Sequence, residues 1–243
     1  MNDAIYGFVF TARDEQDALQ QQHIGQRVSS EITPWIVHYD VATIYVKQWP
    51  VDLWFVEVVE SLDHSQLSAD SDYIAANTIR PLKQLPCSLL FGPTGERVCQ
   101  LLDNICQITL PQIEQLAALA NPISAEAYAN VWNAWLNKTT NSTMHRDADH
   151  TGTLAIGEGE NASPIYNGFL TINDLLHKRA RELVGDDAFI KPAGYDDEVY
   201  LVAEWSKACS VLLQTAMGLG AEQYIHAKDL PLLLLGWKVL NNI

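Results

Sequence analysis

The sequence predicts an α+β protein in which helices dominate, with a small N-terminal β element packed on helices and an all-helical C-terminal half. Two observations support this fold class. β-Branched and aromatic residues are concentrated before residue 50, as is typical of strands. After residue 70, apolar residues recur at the three- and four-residue spacing of a helix face, behind turn or capping residues.

The N-terminal elements follow from these patterns. Residues 5–11 predict a strand, residues 14–28 a helix, and residues 35–48 one strand or a short hairpin. Residues 51–62 are ambiguous, because their apolar side chains have helical spacing while their β-branched and aromatic content favours a strand. We take a helix as the prediction for this segment.

Helical patterns dominate the rest of the chain. A helix over residues 70–85 is expected to be disturbed by Pro81. Ser124 predicts an N-cap, and Asp229 is expected to cap the last helix. The remaining predicted helices cover residues 95–105, 111–120, 124–136, 171–184 and 196–217.

One break in composition divides the chain. Residues 138–163 are rich in Asn, Thr, Asp, Gly and His and contain few apolar residues, which predicts a polar loop or linker. The domain organisation expected from this break is a mixed α/β region at 1–137, the linker at 138–163 and a helical region at 164–243. The three regions together are expected to form one compact domain.

The formal net charge is −15, from 30 acidic and 15 basic residues. Residues 1–120 contribute −9 and residues 121–243 contribute −6, so both halves share the surplus. A negative surface repels phosphate backbones and attracts basic proteins. The charge therefore argues against nucleic-acid binding and favours a partner with a basic surface, and a surface that serves only solubility is the alternative interpretation.

The polar segment also contains the best candidate for a metal site. His145, Asp147, Asp149 and His150 are two imidazoles and two carboxylates within six residues, and these groups are usual ligands of zinc, manganese or iron. Their spacing matches no established metal motif, so a solvated loop is the competing interpretation. No catalytic residue and no cofactor is assigned from the sequence.

Two other sequence patterns resemble functional sites, but we interpret both of them as structural. Residues 90–97 resemble a phosphate-binding turn, but Glu96 follows Gly95 where a P-loop has lysine, so we expect an ordinary turn that enters a helix. The four cysteines contain no Cys-x-x-Cys pair and are expected to be reduced thiols, and Cys209 is expected to lie in the core.

The location of the protein is predicted to be cytoplasmic. The N-terminus has no basic region followed by an apolar run, as a signal peptide would. The most apolar run, at residues 230–240, is shorter than the roughly 20 residues that cross a bilayer, so no membrane association is expected.

Three classes of function are compatible with these observations. The preferred one is a non-enzymatic acidic protein that binds and neutralises a basic protein partner, as an immunity protein or an inhibitor does. The alternatives are a metal-dependent hydrolase that uses the His/Asp-rich segment, and a structural or adaptor subunit of a larger assembly. The sequence leaves the identity of the partner and the oligomeric state open.

Overall fold

The computed structural model describes residues 4–13, 19–30, 33–62, 72–92, 94–139, 162–191 and 199–241. The chain divides into two compact units, residues 1–90 and 91–243. Most of the predicted polar linker lies outside the described residues, so the predicted division at 137 and 163 stays a prediction.

The first unit is a small antiparallel β-barrel. Four strands form a closed ring in which β1 pairs with β4, β4 with β5, β5 with β3 and β3 with β1. A short strand, β2, pairs with β5 outside this ring. The strands are β1 (Ile5–Ala12), β2 (Val28–Ser29), β3 (Trp35–His38), β4 (Val51–Ser61) and β5 (Tyr73–Leu85).

The barrel core comes from the alternation of side chains along the strands. On β1, Gly7, Val9 and Thr11 are buried and the residues between them are more exposed. Residues opposite each other in an antiparallel pair share a face, so Trp54 of β4 joins Val9 in the interior. The core cluster consists of Val9, Leu19, Val37, Trp54, Val56, Ile74, Ala76 and Ile79.

The prediction of a helix over residues 51–62 is wrong, because this segment is β4. Its apolar residues show helical spacing only because both faces of the strand carry apolar side chains. β4 lies between β1 and β5 and is hydrogen-bonded to both. The β-branched and aromatic residues that made the segment ambiguous fit such a central strand.

The helix predicted over residues 70–85 is also wrong, since residues 73–85 form β5. Pro81 lies opposite Val56, where the β4–β5 register shifts. A proline has no N–H for a ladder hydrogen bond, and an irregularity accommodates it inside a strand. Its carbonyl oxygen accepts a hydrogen bond from the backbone N–H of Gly25 at 2.8 Å.

Two further N-terminal predictions need correction. The described part of the helix predicted over residues 14–28 contains a 3-10 helix, Gln21–His23, and the start of β2 instead. In residues 35–48 the strand ends at His38, and a second 3-10 helix, Val41–Thr43, follows it. Asp40 caps that 3-10 helix by accepting a hydrogen bond from the backbone N–H of Ala42 at 2.9 Å.

The second unit is a bundle of helices around α5. The helices are α1 (Gly95–Cys106), α2 (Leu110–Leu119), α3 (Pro122–Thr139), α4 (Ala162–Leu183), α5 (Ala203–Gly220), α6 (Leu230–Leu233) and α7 (Leu235–Asn241). Helix α5 packs against most of the others and has buried residues on nearly all sides. This arrangement explains its almost continuous apolar sequence from Val211 to Leu219.

The predicted helices at 95–105, 111–120 and 124–136 are confirmed, and the helix predicted at 171–184 is the second part of α4, which already begins at Ala162. Local signals account for them: the buried residues of α1 recur at three- and four-residue intervals. The cap of α3 differs from the prediction, since the Asn121 side chain accepts a hydrogen bond from the Ser124 N–H at 2.9 Å and Pro122 begins the helix. The helix predicted at 196–217 begins only at Ala203, as α5, because Tyr200 and Leu201 form a short strand.

The predicted fold class is therefore wrong in both halves. The N-terminal region is a strand-rich closed barrel, not a small β element on helices. The C-terminal half also contains a short antiparallel pair, β6 (Phe189–Ile190) with β7 (Tyr200–Leu201). Contacts from α4 hold this pair, because Arg181 lies over the Phe189 ring at 4.8 Å from its centroid and His177 packs on the same ring.

None of the helices in the described ranges combines the length and the apolar content that crossing a bilayer requires.

Candidate functional site

The barrel unit contains a cavity of about 720 Å³ beside the C-terminal half of β1 and the N-terminal half of β3. Apolar and aromatic side chains make up most of its wall, including Phe10, Trp35 and Ile36. The polar contributions come from Thr11, His38, Tyr45, Lys47 and neighbouring loop residues. Small-molecule sites in proteins have volumes of roughly 300–1,000 Å³ and this kind of wall.

The cavity exists because β1 and β3 diverge. In the described residues, the two strands pair at Phe8 and His38 and not further along. They approach very closely there, since a Cβ atom added to Gly7 would collide with the carbonyl oxygen of His38 and with the side chain of Val37. Beyond this junction the strands separate, and the wedge between them is the cavity.

Two polar side-chain atoms at this wedge are buried without a hydrogen-bond partner among the described residues. They are Oγ1 of Thr11 and Nε1 of Trp35. If the register at Phe8 and His38 is extended, Thr11 falls opposite Trp35, and both are at interior positions. An unpaired buried polar group of this kind lowers the stability of the fold by about 1–3 kcal/mol.

His38 belongs to a short chain of hydrogen bonds. Its Nδ1 lies 3.1 Å from Oγ1 of Thr43, and that hydroxyl donates to the carbonyl oxygen of Asp40 at 2.9 Å. Because the hydroxyl proton is already used, Nδ1 of His38 must be the donor, which leaves Nε2 as an acceptor in the neutral ring. Burial lowers the pKa of His38, although the charge of Asp72 opposes this effect.

The same hydrogen bonds argue against nucleophilic catalysis by this group. Thr43, His38 and Asp72 are the residue types of a hydrolase triad. In a triad, however, the imidazole accepts the proton of the nucleophile. Here the Thr43 hydroxyl donates to a carbonyl group, and His38 acts as a donor to it.

The electrostatics of the cavity are set by few charges. Among its described lining residues, Lys47 is the one that carries a full charge at neutral pH. Burial and the nearby Asp72 raise the pKa of Tyr45, so its phenol stays protonated. Asp52, opposite Thr11 on β4, is neutralised by Arg13, whose Nε lies 2.9 Å from its Oδ1.

The sequence-predicted metal ligands His145, Asp147, Asp149 and His150 lie outside the described residues, so this site stays a prediction. Within the part of the chain that the structure describes, no group of three or more His, Cys, Asp or Glu residues is placed to hold a metal ion.

The other two sequence patterns have structural roles. Gly92 has a left-handed φ of 78°, and the Thr94 hydroxyl donates to the carbonyl oxygen of Leu219, so residues around Gly92 form a turn into α1. Cys209 is buried, its Sγ donates to Oδ1 of Asn173 at 3.3 Å, and burial raises its pKa to about 12. None of the four cysteines, all of which are described, forms a disulfide.

No family model, no curated protein and no solved structure matches this chain.

Thr11, Trp35 and Lys47 were not predicted from the sequence to lie at a site. One available signal was the alternation along β1, which puts Thr11 on the same face as Val9. A hydroxyl at an interior position calls for a partner. The cavity itself depends on the divergence of two strands about 25 residues apart in the chain, which no local pattern reveals.

Proposed function

We propose that this chain is a non-enzymatic binding protein that engages a basic protein partner and neutralises it. The proposal rests on the charge of −15. A field of this sign speeds the encounter with a basic surface and disfavours acidic competitors.

Acidic residues outnumber basic ones in both halves of the chain, and some of them are neighbours in sequence. Clusters of neighbouring acids occur at residues 14–17, 158–160, 186–187 and 196–198. A cluster of acids can form one local contact with a basic surface.

Two of these clusters supply matched sets of three acids. Residues 14–18 directly follow Arg13 after β1 and contain Asp14, Glu15 and Asp17. Residues 192–198 lie between β6 and β7 and end with three consecutive acids, at 196–198. Each set can be neutralised with three near-isosteric substitutions.

The test is the salt dependence of association. The full chain is immobilised, basic proteins from the source cells are captured at low salt, and the on-rate of a purified captured protein is measured between about 50 and 500 mM salt. We expect the on-rate to fall at least about tenfold, because steering is screened beyond the Debye length. An on-rate that stays flat contradicts the proposal.

Neutralising variants then locate the contact. We expect D14N/E15Q/D17N or D196N/D197N/E198Q to slow association several-fold while dissociation changes little. The control is E114Q/E126Q/E204Q, which removes the same charge from exposed positions on α2, α3 and α5. If the control slows association as much as both test variants, the effect comes from net charge and a localised acidic contact is contradicted.

A further inference from the structure

We propose that exposed tyrosines around His38, at the end of β3, form a surface that anchors arginine side chains of the basic partner. We call this surface the tyrosine patch, and its members are Tyr39, Asp40, Tyr45, Asp72 and Tyr73. Such an anchor rests on the proposed function and deepens it, because it names the part of the basic partner that is held.

The patch concentrates exposed aromatic surface. Five tyrosines of the described residues are exposed, and three of them belong to the patch: Tyr39 is 49%, Tyr45 41% and Tyr73 37% exposed. Single apolar side chains are common on protein surfaces, whereas a group of tyrosines is typical of a protein interface. Tyrosine offers a large, rigid contact area at a small loss of conformational entropy.

The pairing of β3 with β5 brings these residues together. His38 lies opposite Tyr73 in the register, and the centroids of their rings are 5.9 Å apart. Just beyond this pair, the backbone N–H of Tyr39 donates to the carbonyl oxygen of Asp72 at 3.0 Å. Tyr45 borders the same cavity as His38. The patch is therefore one continuous region at this end of the barrel.

The carboxylates of the patch select a cation. Asp40 and Asp72 are both exposed. Asp72 acts on the pKa of both His38 and Tyr45, where burial has the larger effect, so its carboxylate lies near both rings. Lys47, two residues after Tyr45, contributes one positive charge. The two carboxylates outweigh it, and the chain as a whole carries −15, so the patch attracts a cation.

Among cationic side chains, arginine fits this combination of groups. A guanidinium group is flat and stacks on the face of an aromatic ring, while its N–H groups can form two parallel hydrogen bonds with one carboxylate. A lysine ammonium group is a compact point charge that gains less from either contact. The patch therefore distinguishes arginine from lysine at equal charge.

The first experiment uses the full chain and two capped peptides of equal charge, four arginines and four lysines. Binding is followed by the NMR signals of carbon-13-labelled tyrosine rings, which Tyr45→Phe and Tyr73→Phe identify by their disappearance. We expect saturable shifts of both rings, and at least about threefold tighter binding of the arginine peptide. The ring of Tyr6, which is 47% exposed on β1, should shift less. No saturable shift at Tyr45 and Tyr73, or equal binding of the two peptides, overturns the proposal.

A matched pair of variants separates the patch from the net charge. D40N/D72N should weaken binding of the arginine peptide several-fold. D186N/D187N removes the same charge from exposed positions of the second unit and should leave binding at the patch unchanged. Equal weakening by both variants contradicts a local site. If the purified chain is a dimer that Tyr73→Ala converts into a monomer, a second copy covers the patch and the proposal is wrong.

The second experiment uses a captured basic partner. Tyr73→Ala should raise the dissociation rate at least about tenfold and leave the on-rate unchanged, because anchors act mainly on dissociation. Tyr6→Ala removes a side chain of similar exposure and should change neither rate. An unchanged Trp54 indole signal shows that each variant is folded.

The outcomes for the anchor and for the proposed function are distinguishable. If Tyr73→Ala dissociates as the parent chain does while the on-rate falls with salt, the anchor is wrong and the proposed function stands. If the on-rate is flat, the proposed function is contradicted, and the peptide experiment still decides whether the patch binds arginine.

Discussion

Gly7 and His38 meet at a point of the barrel where only a glycine fits. A Cβ atom at position 7 would collide with the carbonyl oxygen of His38, because β1 and β3 are closest at this junction. The cavity opens immediately beyond it. The close approach and the cavity are therefore two consequences of the same divergence between the strands.

Gly7→Ala is expected to destabilise the barrel by about 2–3 kcal/mol, because the added methyl group forces two main chains apart. Urea unfolding followed by the Trp54 indole signal measures this change. Gly25→Ala is the control: Gly25 has φ +78° and nothing within 4 Å of an added Cβ, so only the backbone strain of about 1 kcal/mol applies. An equal or smaller cost for Gly7→Ala contradicts the close approach.

Thr11→Val is expected to leave the free energy of unfolding unchanged or to raise it by up to about 1 kcal/mol, because it replaces an unpaired buried hydroxyl by a methyl group. Thr78 is the matched control, since it is equally buried at 4% exposure. Its Oγ1 lies 2.9 Å from Oγ of Ser29 and donates to Oε2 of Glu60 at 3.1 Å.

Thr78→Val should therefore cost about 1–2 kcal/mol, because it leaves these two partners without their hydrogen bond. Both variants are measured by urea unfolding of the barrel. If Thr11→Val is as destabilising as Thr78→Val, the Thr11 hydroxyl has a hydrogen-bond partner in solution, contrary to its unpaired state in the structure.

The helical unit was largely predictable because its signals are local. In α1, the spacing of Val98, Leu101, Leu102 and Ile105 defines one buried face, and the helix follows from a dozen consecutive residues. The cap of α3 was predicted at Ser124 and lies at Asn121, because asparagine and serine are both good capping residues.

The barrel could not be predicted in the same way. Strand β4 contains apolar residues on both faces, so the spacing of Val51, Trp54 and Phe55 matches a helix as well as a strand. Residues 70–85 were predicted to be a helix disturbed by Pro81, whereas residues 73–85 form a strand in which a register shift accommodates this proline. Pairing between strands that are distant in sequence decides whether such a segment forms a strand or a helix. A local pattern of residues does not contain that information.

Cys209 should make the second unit less stable at high pH. Burial raises the pKa of its thiol from 9.0 to about 12, so the unfolded chain loses this proton at a lower pH than the folded protein does. The unfolded state is therefore favoured progressively as the pH rises from about 9 towards 12.

The measurement is the free energy of unfolding at several pH values between 8 and about 10.5 for the parent chain and for Cys209→Ala. We expect the parent to lose more stability over this range, because the alanine variant has no thiol to ionise in the unfolded state. Identical pH slopes would mean that the Cys209 thiol ionises equally well in the folded protein, contrary to its buried position beside Asn173.

Gly236→Ala is expected to destabilise the helical unit by about 1–3 kcal/mol. An added Cβ would lie 2.5 Å from Oγ1 of Thr215 and 3.1 Å from Cγ1 of Val211, so α7 could no longer approach α5 as closely. Thr215 has little freedom to move, because it is fully buried and its hydroxyl donates to the carbonyl oxygen of Val211 at 2.9 Å.

Gly168→Ala in α4 is the matched control, because the nearest atom to its added Cβ is Cβ of Ala216 at 3.6 Å, an ordinary contact. Alanine is favoured over glycine in a helix by up to about 1 kcal/mol, so this variant should be more stable than the parent. Thermal unfolding of the two variants should therefore shift the midpoint in opposite directions. A higher midpoint for Gly236→Ala would show that α7 and α5 are packed less closely than their contact at Thr215 requires.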